Sequence, residues 1–211
     1  MRKAFIVMIA MTAAISFTAC KKEKTNVIPA STTTPAATLT TFEKESITFS
    51  REEEKMARDV YKALVVKWPT MSYLNNIIGS EQKHMDAIKT LLDKYSITDP
   101  VGNNADGVFT NTDIQKLYND LVAKGTMSEL DAIIVGLTIE DVDIYDLQKA
   151  MEQIQNADIL KTYGNLVKAS KNHMREFYTQ LQAKGGTYTP QYITQQEYND
   201  IVTTPKEHGS E

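Results

Sequence analysis

Cysteine is almost absent from this sequence, since Cys20 is the only one among 211 residues. A disulfide framework within the chain is therefore excluded, and its stability has to come from a packed core. Basic residues are also outnumbered, with 23 Lys and Arg against 27 Asp and Glu, and they form no obvious patch. We therefore expect no nucleic-acid partner, because nucleic-acid-binding proteins carry a clustered positive charge.

An apolar run near the N-terminus has the order of an export signal. Arg2 and Lys3 precede the apolar stretch 4–15, and small residues lead into Cys20. The stretch is too short to span a bilayer. We predict that 1–19 is a bacterial lipoprotein signal peptide and that Cys20 is the lipid attachment site. The protein would then be anchored by lipid in the bacterial cell envelope, at the outer membrane. The alternative is a secreted protein that keeps Cys20 as a free thiol.

The rest of the chain divides by composition into three parts. Residues 20–45 are rich in Lys, Thr, Pro, Ala and Ser, which predicts a flexible tether after the lipidated cysteine. Residues 46–186 carry helix signals and form the expected folded domain. We expect the tail, 187–211, to be disordered except for a short helix at 194–201.

Helical periodicity dominates the central domain and predicts an all-α fold. Ser50 and Glu53 have the spacing of a capping box, and they open a first long helix that ends at Pro69. Further long helices are predicted at 71–95, 128–154 and 156–184. A short helix at 111–125 would lie on the crossover between the two hairpins, after a loop. Four long amphipathic helices predict a four-helix bundle.

Ionisable side chains interrupt the apolar stripe of every long helix. They are Glu54, then Glu81 and His84, then Glu140 and Asp143, then His173. A buried charge is costly unless it is paired or binds a metal. Helix rise places these residues at similar depths within each hairpin. Carboxylates that bridge two ions, completed by imidazoles, would explain all of them together.

The order Glu54, Glu81-x-x-His84, Glu140, His173 resembles that of the ferritin-like di-iron carboxylate proteins, and Tyr61 fits the same pattern. Four stretches, 52–61, 80–84, 136–147 and 165–177, resemble more closely the domain-of-unknown-function family 2202. This resemblance covers about residues 47–183. It implies a ferritin-like four-helix bundle and a metal site, but no defined reaction.

The sequence departs from the ferritin-like pattern on the last long helix. Ferritin-like sites usually repeat Glu-x-x-His there, whereas Ser170 stands three residues before His173. Asp143, one turn after Glu140, could supply the missing carboxylate. Otherwise the site has fewer ligands and suits one metal or an unlike pair.

Each candidate also has a structural explanation. Glu81 and His84 could form a buried ion pair or polar network, and His173 could be a core histidine with satisfied hydrogen bonds. Tyr61 could be an ordinary core tyrosine and Ser170 a helix-packing residue. Arg58 would either neutralise surplus carboxylate or lie on the solvated surface.

Two function classes follow from these residues. The first is an envelope-anchored ferritin-like protein with a metal site, for iron first and for manganese or zinc as alternatives. If that site is redox-active, iron oxidation or the reduction of oxygen or peroxide is the expected class. The second is a non-enzymatic helical interaction module with a self-satisfied polar core. The sequence identifies no protein partner.

Overall fold

The computed structural model describes residues 38–208, which contain six helices and no strand. The helices are α1 (Thr41–Lys67), α2 (Leu74–Lys94), α3 (Thr112–Gly125), α4 (Glu129–Met151), α5 (Ala157–Ala183) and α6 (Gln195–Thr203). The all-α expectation is confirmed for this part of the chain. No helix in it is long and apolar enough to cross a membrane. The predicted signal peptide, Cys20 and most of the predicted tether lie outside the described residues.

Helix α1 begins well before the residue that the sequence analysis favoured. Thr40 caps it by accepting from the backbone N–H of Glu43, whose side chain in turn accepts from the backbone N–H of Thr40. Placing 38–45 in a flexible tether was therefore wrong. The expected capping box at Ser50 does not form, since Ser50 lies inside the helix and donates to the hydroxyl of Tyr163.

The four long helices form two hairpins, α1 with α2 and α4 with α5. These hairpins pack together through α1 against α4 and α2 against α5. Two buried apolar clusters fill the interior, one including Leu64 and Phe177, the other including Ile88 and Tyr163. On α1, α2 and α5 the predicted ligands fall between members of the two clusters. The ionisable residues therefore share one level of the bundle.

Helix α3 packs on α1 and α4, as expected for a short helix on the crossover. The loop before it is tied to α1 by buried side chains. Glu52 accepts from the backbone N–H groups of Thr110 and Asn111 at 2.5 and 3.0 Å. The Lys55 ammonium donates to Asp59 and to backbone oxygens of the loop. Buried charge on α1 thus fixes the crossover.

The C-terminal segment is ordered, contrary to the expectation of a largely disordered tail. Asp141 on α4 accepts from three backbone N–H groups at 191–193 and from the hydroxyl of Tyr188. Arg175 on α5 donates to the carbonyls of Ile201 and Thr204. The short helix expected at 194–201 is present as α6. The order of the rest of the segment was not predicted, because its anchors are charged groups on α4 and α5 rather than an apolar pattern of its own.

Candidate metal centre

Two groups of buried acids and histidines could each hold a metal ion. Glu54, Glu81 and His84 form one group, and Glu81, Glu140 and His173 form the other. Within each group, one potential ligand atom from every residue lies within 4.8 Å of the others. Glu81 belongs to both groups, so its carboxylate lies where a bridging ligand between two ions would lie.

The ring nitrogens of both histidines face the carboxylates. Nδ1 of His84 lies 2.9 Å from Glu81 Oε2 and 3.0 Å from Glu54 Oε2. Nδ1 of His173 lies 3.0 Å from Glu81 Oε1 and 3.5 Å from Glu140 Oε2. The two imidazole rings are nearly parallel, with centroids 5.7 Å apart. Both nitrogens are thus presented to one space between the helices.

The polar atoms of this space satisfy one another only in part. Glu54 Oε1 is buried without a hydrogen-bond partner, and Nδ1 of His173 lies 3.0 Å from Glu81 Oε1 without the geometry of a hydrogen bond. A buried polar atom left unpaired costs about 1–3 kcal/mol. Orphaned acceptors and imidazole nitrogens that point at a shared space rather than at each other are what a metal site requires.

Asp143 lies beside the two groups. The hydroxyl of Ser170 donates to its carboxylate, and both side chains are buried. Ser170 occupies the position where the ferritin-like pattern has a glutamate. The short serine leaves room that Asp143 fills from the opposite helix of the hairpin. The structure thus brings the sixth candidate, Asp143, to the site by way of α4.

Tyr61 lies against the site from α1. Its hydroxyl donates to Glu140 Oε1 at 2.5 Å, and its ring packs on Phe177 at a centroid distance of 5.4 Å. Phe177 approaches α4 closely at Gly136, where an added Cβ would lie 2.2 Å from the ring. Gly136 is therefore part of the packing that holds Tyr61 against its carboxylate.

Of the two alternatives for Arg58, the structure does not show the one in which it neutralises the carboxylates of the two groups. Its guanidinium binds Asp59, Asp106 and the side chain of Gln82, on the outer side of α1. Arg175 points instead to the C-terminal segment. Neither guanidinium therefore pairs with the carboxylates of either group.

Comparison with known proteins places this geometry in a family. A family model described as "Uncharacterized protein domain (DUF2202)" matches residues 43–205. The chain belongs to the DUF2202 family. It is 50% identical over 175 residues to the uncharacterized protein MJ0754 of Methanocaldococcus jannaschii, an overlap of 83% of this chain and 94% of that protein.

A solved structure extends the comparison to the fold. The crystal structure of the hypothetical protein MJ0754 matches with a TM-score of 0.80 and 49% identity, over 83% of this chain and 100% of the other. The helical architecture is thus shared with that relative. The names of these relatives assign no reaction.

The acids of this DUF2202 site fall into two groups, one with a lowered pKa and one with raised pKa values. Burial raises the pKa of Glu81, but the neighbouring charges of His84 and His173 outweigh burial and hold that pKa well below its usual range. Burial lowers the pKa of His173, and Glu140 and Glu81 more than compensate, raising it to about 10. The metal-free centre therefore holds an ionised Glu81 between two imidazolium rings.

The pKa values of the remaining acids of the centre are raised. Burial raises the pKa of Glu54 to about 7, against the opposing charge of His84. Burial and then the charge of Glu54 raise the pKa of Asp143 well above its usual range. Burial also raises the pKa of Glu140, despite the charge of His173. Metal ions binding here would displace these protons.

Two further acids near the centre escaped the sequence analysis. Glu53 is buried and hydrogen-bonds with Asp146 on α4, and burial followed by the charge of Asp146 raises the pKa of Glu53 well above its usual range. Burial raises the pKa of Asp146 to about 6. Their positions in the sequence could have indicated them, since Glu53 directly precedes Glu54 and Asp146 lies one turn after Asp143.

Proposed function

We propose that this protein is a ferritin-like metal-binding protein with a dinuclear carboxylate–histidine centre, and that iron is its metal. The ligands are Glu54, Glu81 and His84 for one ion and Glu81, Glu140 and His173 for the other, with Asp143 as a further carboxylate. Mixed carboxylate and imidazole ligands suit iron, and manganese and zinc are the competing metals.

The position of Glu81 carries this proposal. Its two oxygens lie 2.9 and 3.0 Å from the Nδ1 atoms of different histidines. A single carboxylate that faces two imidazoles, each with its own second glutamate, has the arrangement of a bridge between two ions. The unpartnered Glu54 Oε1 supports the same assignment, because it is an acceptor that the protein leaves free.

A pair of iron ions would supply the electrons for reducing oxygen or peroxide as the iron is oxidised. The chain itself supplies positioning and proton control. Tyr61 holds Glu140 through its hydroxyl, and Ser170 holds Asp143. Glu53 and Asp146 keep a proton near the ligands between α1 and α4.

The competing function is a non-enzymatic helical module whose polar core is self-satisfied. That function requires the buried acids and histidines to complete one another's hydrogen bonds or to meet arginine. Glu54 Oε1 remains without a partner among residues 38–208, and Arg58 lies elsewhere. The metal-binding function accounts for this oxygen, and the interaction module does not.

Metal content tests the proposal directly. Protein purified from iron-supplied cells should contain about two metal ions per chain by elemental analysis. Glu81→Gln should lose both ions, since Glu81 belongs to both groups, whereas Glu54→Gln touches one group and should keep about one. Glu152→Gln, at an exposed surface pair with Lys149, is the matched control. A metal-free wild type, or full loading of Glu81→Gln, would contradict the assignment.

We also propose that lipid on Cys20 holds this domain at the bacterial cell envelope, at the outer membrane. The support is the order of the basic, apolar and small-residue regions before Cys20. Labelled fatty acid fed to expressing cells should appear in the wild-type protein and be missing from Cys20→Ser. Equal labelling of both proteins, or of neither, would refute lipid attachment at this residue.

A further inference from the structure

A cavity of about 240 Å³ lies between α2 and α5, beside His173. A smaller one, of about 120 Å³, lies beside His84, and Ser80 lines both. An apolar cavity of about 150 Å³ is large enough to hold benzene. The larger cavity therefore has room for a small organic molecule next to one of the two candidate metal groups.

One buried hydrogen-bond donor of this cavity lacks an acceptor. The hydroxyl of Tyr73 is buried and has no partner among residues 38–208. His173 turns Nδ1 toward Glu81 and Glu140, so the opposite ring edge, with Nε2, is the part that can line the cavity. No hydrogen bond among residues 38–208 uses this Nε2. A metal-binding histidine normally donates its second N–H to an acceptor, which fixes its tautomer.

In the neighbouring, smaller cavity the corresponding histidine nitrogen does have a partner. There Ser80 Oγ lies 3.4 Å from Nε2 of His84 and gives that ring a partner. The larger cavity has one carboxylate in its wall, Glu176, but that group is already engaged. It lies 3.6 Å from the ammonium of Lys206 and accepts from Gln180 at 3.0 Å. Neither Tyr73 nor His173 bonds to it.

The mouth of the cavity also carries a cation. Lys206 lines it from the C-terminal segment with a side chain that is 64% exposed, and its 3.6 Å contact with Glu176 leaves the ammonium, which has three donors, able to donate further hydrogen bonds. A flexible ammonium at the mouth, an orphan hydroxyl and an imidazole edge in the interior are all donors. A ligand with anionic oxygen atoms would satisfy the three together.

We propose that this cavity binds a small monoanion with oxygen acceptors, of the size of a short carboxylate. Its oxygen atoms accept from the Tyr73 hydroxyl and from Nε2 of His173, while Lys206 supplies the opposite charge. Binding to the cavity does not depend on a metal. Only its effect on a bound ion, through the imidazole of His173, rests on the proposed function.

Calorimetry on the full chain, stripped of metal with a chelator, tests the proposal, with acetate as probe and acetamide as its neutral analogue. Acetate should bind one per chain, and acetamide at least tenfold more weakly. Tyr73→Phe should raise the Kd of acetate about tenfold, as expected for a lost hydrogen bond to a charged group. Lys206→Gln should weaken binding and reduce its salt dependence. Tyr178→Phe and Lys149→Gln, outside the cavity wall, are the matched controls.

Three results would overturn the anion site. They are an absence of heat with both acetate and nitrate at tens of millimolar, equal binding of acetamide and acetate, or wild-type affinity in both Tyr73→Phe and Lys206→Gln. Tighter binding of acetate than nitrate identifies a carboxylate, and the reverse identifies an inorganic oxyanion. Both orders support the site.

A cobalt-loaded sample separates this inference from the proposed metal centre. Acetate should shift the visible spectrum of the bound cobalt in the wild type and shift it far less in Tyr73→Phe. If the metal-free protein binds acetate but takes up no cobalt, the anion site stands and the metal centre fails. If the protein takes up cobalt but does not bind acetate, the metal centre stands and the anion site fails.

Discussion

Raising the pH should destabilise the metal-free protein between pH 5 and pH 8. The perturbed group is Glu54, whose pKa burial raises from 4.5 to about 7. A carboxyl with a raised pKa in the folded state binds its proton more tightly there than in the unfolded chain. The contribution of this carboxyl to the free energy of unfolding is fully present below pH 4.5 and is lost as the pH rises through 7.

The size of this effect follows from the two pKa values. At about 1.4 kcal/mol per pKa unit, a change from 4.5 to about 7 corresponds to about 3 kcal/mol, most of which is lost between pH 5 and pH 8. Burial raises the pKa of Asp146 to about 6, so this group also makes the protein less stable as the pH rises. The raised pKa of His173 has the same effect. Glu81 has the opposite sign, but its loss of stability falls at more acid pH.

Denaturant unfolding at several pH values, in the presence of a chelator, measures the effect. The wild type should lose stability from pH 5 to pH 8, and Glu54→Gln should lose about 2–3 kcal/mol less over the same interval. Glu152→Gln removes an equal formal charge from the surface and should follow the wild type. Wild-type stability that is flat or rises over this range, or a Glu54→Gln curve parallel to it, would refute the proton linkage at Glu54.

Three further perturbations have definite expected outcomes. Tyr61→Phe, which removes the donor to a ligand carboxylate, should weaken metal binding about 10- to 100-fold in a chelator competition. Gly136→Ala pushes a Cβ into the ring of Phe177 and should cost about 1–3 kcal/mol in denaturant unfolding. Gly79→Ala, with open space at its Cβ, is its control and should not destabilise. Asp141→Asn should speed hydrogen exchange and proteolysis across 187–208, while unchanged protection would contradict its anchoring role.

The buried ionisable residues could be predicted because a helix repeats its faces at a fixed interval. Glu81 and His84 interrupt an apolar stripe that includes Ile77 and Ile88, and that interruption is visible without a structure. The same periodicity placed His173 on α5. Helix ends with strong caps, such as Ser128 and Asn156, also gave nearly correct bounds for α4 and α5.

The charged run 51–55 on α1 shows what the sequence could not reveal. Such a run normally marks a solvated face, yet every residue of it is buried. Arg51 meets Asp99, and Glu52 meets the backbone before α3, so their partners lie in the crossover loop. No periodicity along α1 encodes those partners.

The charge of the candidate centre would link its protons to any metal ions that bind there. Four carboxylates, Glu54, Glu81, Glu140 and Asp143, would leave four negative charges in the interior, a costly arrangement. Without metal, two imidazolium rings and the protons on the acids with raised pKa values reduce that charge. Two divalent ions would neutralise four ionised carboxylates beside two neutral histidines, whereas one ion would leave two charges uncompensated. The donor set is therefore balanced for a pair of ions, with protons as the substitutes when the ions are absent.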